Sequence, residues 1–203
     1  MKKSNKDKHY NWLMGADMYL AASIILCKEM LIFYKSPNSI FNSDQRIDKK
    51  CGFTSNNPDY EMLLPVIFNL KHGIELYLKA LTMQTDINLV YSQSHDLIAL
   101  LNILILKIKD NHISNSMLKI LDYDIRKIVE KYYFGLYAFA QERVYPDINN
   151  EAERYPEYKN PNCYKIENLC NINMNVLLNE IINDCVFVQK LLREDILKKL
   201  KII

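Results

Sequence analysis

Glycine and proline are scarce, four and six residues in a chain of 203. So few turn-makers exclude a turn-dense β-sandwich or barrel. Charge of one sign is also missing. With 26 basic and 24 acidic side chains the net charge is +2, so the whole molecule does not attract nucleic acid by its field, although a local basic patch remains open. No apolar run is long. Leu97–Leu106 is broken by Asn102 and stopped by Lys107, far short of the roughly 20 residues of a membrane span. Met18–Cys27 follows a basic start like a signal peptide, but Asp7 and Asp17 interrupt it and no small-residue cleavage site follows. A cytoplasmic protein without membrane contact is expected. Cys27, Cys51, Cys163, Cys170 and Cys185 form no Cys-x-x-Cys and no Cys/His ligand spacing, which argues for reduced thiols and against a metal site. Phosphate loops, nucleophile elbows and zincin motifs are absent too, and no cofactor is expected.

What the sequence does carry is helical periodicity. Trp12, Ala16, Leu20, Ser23, Cys27 and Met30 keep a helical spacing within 9–34. A second helix is expected over 59–84, with Pro65 marking its first turn or a kink. A third should run from Ser94, read as its N-cap with the Asp96 carboxylate in the first turn offsetting the exposed amide dipoles, to about Lys109. Its sides are apolar nearly all round, which predicts a central position. A fourth starts near Ser114 or Ser116 and extends towards Glu142, and a last amphipathic helix runs from Asn171 or Asn173 to about Lys201. The segments 36–58 and 144–167 are rich in Asn, Ser, Asp and Pro and read as long irregular connections. The expectation is an all-α, up-and-down bundle of about five helices: one domain over 9–203 behind a mobile polar tail, 1–8. Five such helices cannot all bury their apolar faces in one thin bundle, so a two-fold homodimer through the terminal or the second helix is expected to absorb the surplus.

Polar residues interrupt the second helix in one place. His72, Glu75 and Lys79 lie at i, i+3 and i+7, within about 60° of one another around the axis. Ile67, Leu70, Ile74, Leu78 and Leu81 form a separate apolar stripe. Glu75 four residues before Lys79 is the favoured orientation for a helical ion pair. The same stripe could instead face a cleft, with His72 exchanging a proton near neutral pH. Gly73 costs about 1 kcal/mol against alanine in a helix interior, so a close neighbour is expected there. Downstream, His95 stands at a helix N-terminus, where the dipole disfavours a cation. It reads either as a neutral imidazole bonded back to the second helix or as a base, with Asp96 able to orient it.

The run Leu70-Lys-His-Gly-Ile-Glu-Leu-Tyr-Leu-Lys-Ala-Leu81 followed by Ser94-His-Asp-Leu97 resembles the HEPN domain family. The resemblance is best over 60–105 and extends over 9–35 and 114–158. Glu153-Arg154-Tyr155-Pro156 is similar to an Arg-Tyr-Pro segment of some relatives. Arg154 could pair with Glu75, or with Arg143 present a phosphate site beside Tyr155, which could stack on a base. The ribonucleases of that family carry an Arg with a His about four to six residues on. Arg46, Arg126, Arg143, Arg154 and Arg193 have no such His. The resemblance therefore implies a non-enzymatic, RNA- or nucleotide-associated module of a bacterial defence, toxin–antitoxin or stress system. Two alternatives stand beside it: a divergent metal-independent endoribonuclease using His72, Glu75 and Arg154, and an interaction partner of a nucleotidyltransferase or antitoxin. Lys79, His95, Asp96, Arg143 and Tyr155 are the candidate binding residues.

Overall fold

The computed structural model describes residues 5–33, 58–85, 94–110, 115–133 and 173–197. Five helices account for nearly all of them, with no strand among the described residues. Helix α1 is Asn5–Phe33 and α2 is Pro58–Thr85, while α3 is Leu97–Asp110. Helix α4 (115–132) joins Asn115–Lys119, a π-helical stretch Ile120–Ile125 and Arg126–Tyr132. Helix α5 (174–197) joins Met174–Gln189 to a π-helical Lys190–Leu197. The all-α bundle expected from the periodicity is the observed architecture.

Local chemistry sets several boundaries. Helix α2 opens on Pro58, where the missing N–H and preset φ suit a first helical position. It continues through Pro65 as one helix. Helix α5 is capped by Asn173, whose side-chain oxygen accepts from the Val176 amide at 3.1 Å. At the other end of the chain α1 begins at Asn5, so the stretch read as a tail is partly helical.

Helix α2, and not α3, occupies the centre. It packs most extensively on α1 and also against α3 and α4, while α1 also packs on α5. Between Leu63 and Thr82 its buried residues, Lys71 and Glu75 included, span about 220° of the helix circumference, and the rest are half-buried. Helix α3 buries Leu97, Leu100, Leu101, Leu104, Ile105 and Ile108 but leaves Leu106 and Asn102 in water. Its apolar excess is therefore only partly used. The expectation failed because composition around a helix does not state how many neighbours it acquires.

The α1–α2 crossing is close at Gly73. A Cβ there would stand 2.8 Å from Leu20 Cδ2, 2.9 Å from its Cγ and 3.2 Å from the Ala16 carbonyl oxygen. The glycine is the contact point, as its cost in a helix interior suggested. Next to it Ser23 Oγ donates to the Val66 carbonyl at 3.0 Å. Residues 16, 20 and 23 on α1 thus descend against 73 and 66 on α2, so the two helices run antiparallel.

Candidate functional site

The polar stripe of α2 converges on one carboxylate. Glu75 is 1% exposed. Lys79 Nζ donates to its Oε1 at 2.7 Å, one helical turn on. His72 Nδ1 lies 3.3 Å from Oε2, and His95 Nδ1 lies 3.0 Å from Oε1. The first two contacts are dictated by helix geometry, since i−3 and i+4 neighbours share a face. The third is tertiary. It brings the corner before α3 onto the middle of α2, so His95 does bond back to the second helix.

Burial by itself would raise the Glu75 pKa. Hydrogen bonds from His72 and Lys79, and then their charges, outweigh it and hold the carboxyl down at about 2. Glu75 is thus an anion at neutral pH and can only accept hydrogen bonds. Both imidazoles that face it must carry a proton on Nδ1. Each then directs Nε2 away from the carboxylate. His72 is further held by rings: Phe68 stacks on it at 5.4 Å and Tyr19 meets it edge-on at 4.5 Å. Its side chain is 15% exposed against 40% for His95. One imidazole is clamped and the other meets solvent.

Asp96 meets the amide dipoles of α3 as expected, but as the cap itself. Its Oδ1 accepts from the amides of Ile98 at 2.9 Å and Ala99 at 3.0 Å, and its carbonyl accepts from Leu100 N–H. Asp96 is therefore the N-cap of α3, where the carboxylate also meets the positive end of the helix dipole. Ser94, read as the cap, sits one step back and accepts from the Asp96 amide at 3.1 Å. The second carboxylate oxygen of Asp96 accepts from the Tyr133 hydroxyl at 3.3 Å. Asp96 thus orients the corner that carries His95 and does not bond the imidazole. Arg143, Arg154 and Tyr155 lie outside the described residues.

Two further carboxylate clusters have no counterpart in the sequence reading. Asp17 on α1 accepts from the Tyr77 hydroxyl, from Gln189 Nε2 at 2.9 Å and from the Arg193 guanidinium, joining α1, α2 and α5. Asp184 on α5 accepts from Lys131 and from the Tyr132 hydroxyl, each at 2.6 Å, and so joins α4 to α5. Burial, then the adjacent carboxylate, pushes both phenols far up, so Tyr77 and Tyr132 remain protonated donors. The one signal available for Asp17 was an acidic residue interrupting an otherwise apolar stretch. Lys131, Tyr132 and Asp184 carried none, because their partners are about fifty positions away. Burial also pushes the Cys27 and Cys185 thiols up to about 12, which makes them inert packing residues.

Among the described residues no group of three His, Cys, Asp and Glu side chains is arranged to hold a metal ion. Nor is any described helix long and apolar enough to cross a membrane. The arrangement around Glu75 can do two things chemically. It fixes the 94–96 corner on α2, and it presents an oriented, partly exposed imidazole beside the N-terminus of α3. No family model matches this chain, and neither a curated protein nor a solved structure does.

Proposed function

We propose that the chain is a HEPN-like, RNA- or nucleotide-associated helical module of a bacterial defence, toxin–antitoxin or stress system, acting without catalysis. The observation that carries this reading is the saturation of Glu75. Its carboxylate is buried, takes three donors and stays ionised down to about pH 2. Such a group moves no proton near neutral pH, whereas a general base needs a pKa near the working pH. Lys79 spends its charge on the same carboxylate. The cluster is a clasp, and ligand contact falls to its rim. In this reading His95 lies at the rim, and Arg143, Arg154 and Tyr155 supply phosphate and base contacts. A homodimer, and a nucleotidyltransferase or antitoxin as its partner, belong to the same proposal.

One observation favours the second reading, a divergent metal-independent endoribonuclease. Glu75 faces both imidazoles through Nδ1, the arrangement that leaves a lone pair or proton on Nε2 for a ribose 2′-hydroxyl or a leaving oxygen. There His72 is the acid or base, Arg154 or Arg143 holds phosphate and Glu75 orients.

Purified protein incubated with labelled RNA, with and without EDTA, separates the two. The expected result is intact RNA that nonetheless shifts the anisotropy of a fluorescent oligonucleotide, with the shift weakened by Arg154→Ala. Cleavage that survives EDTA and is lost in both His72→Ala and Arg154→Ala establishes the nuclease instead. Neither binding nor cleavage removes both readings and leaves protein partnership.

A further inference from the structure

Helix α1 is apolar on two opposite sides. Ala16, Leu20, Ser23, Cys27 and Met30 form the buried side. Met14, Met18, Ala21, Ile25, Lys28 and Ile32 form another stripe at alternating spacings of four and three, rotated by roughly 160° at 100° per residue. All six are exposed, the four large apolar ones between 42% and 67%. An amphipathic surface helix should carry polar residues there. The stripe is about 27 Å long at 1.5 Å per residue.

We infer that this outer face of α1 pairs with the same face of a second copy, the two helices antiparallel about a two-fold axis opposite Ser23. The spacing, symmetric about its midpoint as any run of alternating fours and threes is, lets a second copy occupy the stripe. Met14 and Ile32 lie nine residues either side of position 23, Met18 and Lys28 five, and Ala21 and Ile25 two. One axis therefore sets each member of the stripe against another of the partner, using the whole stripe at once. Large faces small in the central layer, where Ala21 meets the partner's Ile25. Lys28 lays its aliphatic stem on the partner's Met18 and keeps its ammonium in water. Complete cover of the stripe, about 500 Å² per copy, would remove at most about 1,000 Å² from a pair, the least area that a specific interface needs. The segment 34–57 that follows α1 offers only scattered apolar residues among Ser, Asn, Asp and Lys, which makes it a poor match for a continuous stripe.

The inference rests on the self-pairing part of the proposed function and not on RNA binding. Light scattering after size exclusion on the full chain tests it, over a range of protein concentrations. The wild type is expected at twice the 24.0 kDa chain mass. Ile25→Glu and Met18→Lys should each weaken pairing by at least ~30-fold, the effect of a buried hot spot. Their far-UV helicity should be retained, because both side chains already face water. Mixed Ala21→Cys and Ile25→Cys chains should cross-link to each other, above either variant alone and above wild type under the same oxidant. A wild type that stays at single-chain mass overturns both this inference and the homodimer. If both charged variants remain dimeric, the homodimer stands on another surface and this one is excluded. Cross-linking no greater in the mixture than in either variant alone overturns the register.

Discussion

Glu75 on α2 and Asp17 on α1 are two carboxylates at the centre of two clusters that both include α2, and they were built by different means. Two of the three Glu75 partners come from its own helix, three and four residues away. The partners of Asp17 are 60, 172 and 176 residues distant. Glu75 is 1% exposed, and its own-helix partners Lys79 and His72 are only 10% and 15% exposed. Asp17 is 17% exposed, and its Arg193 partner is 46% exposed. The comparison teaches that a carboxylate served mainly by its own helix can be deeply buried, whereas one served by three helices stays nearer the rim, where water can replace a lost partner.

Removing each carboxylate is the largest test of that difference. Glu75→Ala leaves Lys79 and His72 partnerless in a closed site and is expected to cost about 3–5 kcal/mol. Asp17→Ala should cost about 1–3 kcal/mol, because the Tyr77 hydroxyl loses its acceptor while Arg193 turns to solvent. Urea unfolding of the two variants measures both. Equal losses would mean that burial does not separate the clusters.

Acid sharpens the same contrast. The folded Glu75 carboxyl titrates at about 2, below the ordinary value near 4.5. Its contribution is present above the unfolded value and is lost as pH falls from about 4.5 through 2, where the unfolded chain binds a proton that the folded one refuses. The loss is on the order of 3 kcal/mol. Stability measured against pH should show this slope in wild type and in Asp17→Asn, and not in Glu75→Gln. A slope of the same size in Glu75→Gln would assign it to other groups.

Gly73 offers a smaller break. It lets α1 approach α2 at Ala16 and Leu20. Gly73→Ala gains about 1 kcal/mol of helix propensity, but the Ala16 carbonyl and Leu20 Cγ cannot swing aside. A net loss of about 1–2 kcal/mol is expected from overpacking. Gly15→Ala is the control. Its Cβ would meet only the end of Leu76 at 3.1 Å, and it should be neutral or slightly stabilising. Tyr77→Phe should become less costly in the Gly73→Ala background, because α1 with Asp17 has been displaced. Thermal melts of the single and double variants supply the cycle.

The smallest expected effect separates Asp96 from Ser94. Asp96→Ala removes the cap of α3 and should cost about 1 kcal/mol. Ser94→Ala removes a single acceptor and should cost a few tenths. Loss of the Asp96 cap should also loosen the His95 arm of the Glu75 cluster and leave its His72 and Lys79 arms intact. The imidazole Nδ1 signals in NMR report each arm separately.

Local pattern carried the helices and half of the candidate site. The stripe of His72, Glu75 and Lys79, the helical course of α1, α2 and α3 and the close approach at Gly73 were all legible, because each depends on neighbours within a turn or on a single residue type. The return of His95 to α2 was legible only as one of two alternatives. The cap of α3 was misplaced by two residues because Ser94 and Asp96 are both competent caps, and only the path of the chain decides which oxygen reaches the amides. What lay beyond local pattern was the identity of the central helix, the Asp17 and Asp184 clusters and the exposure of one face of α1. Those depend on which surfaces meet. A period of 3.6 residues says which side chains share a face, but the number of neighbours pressed against that face is a property of the packed bundle.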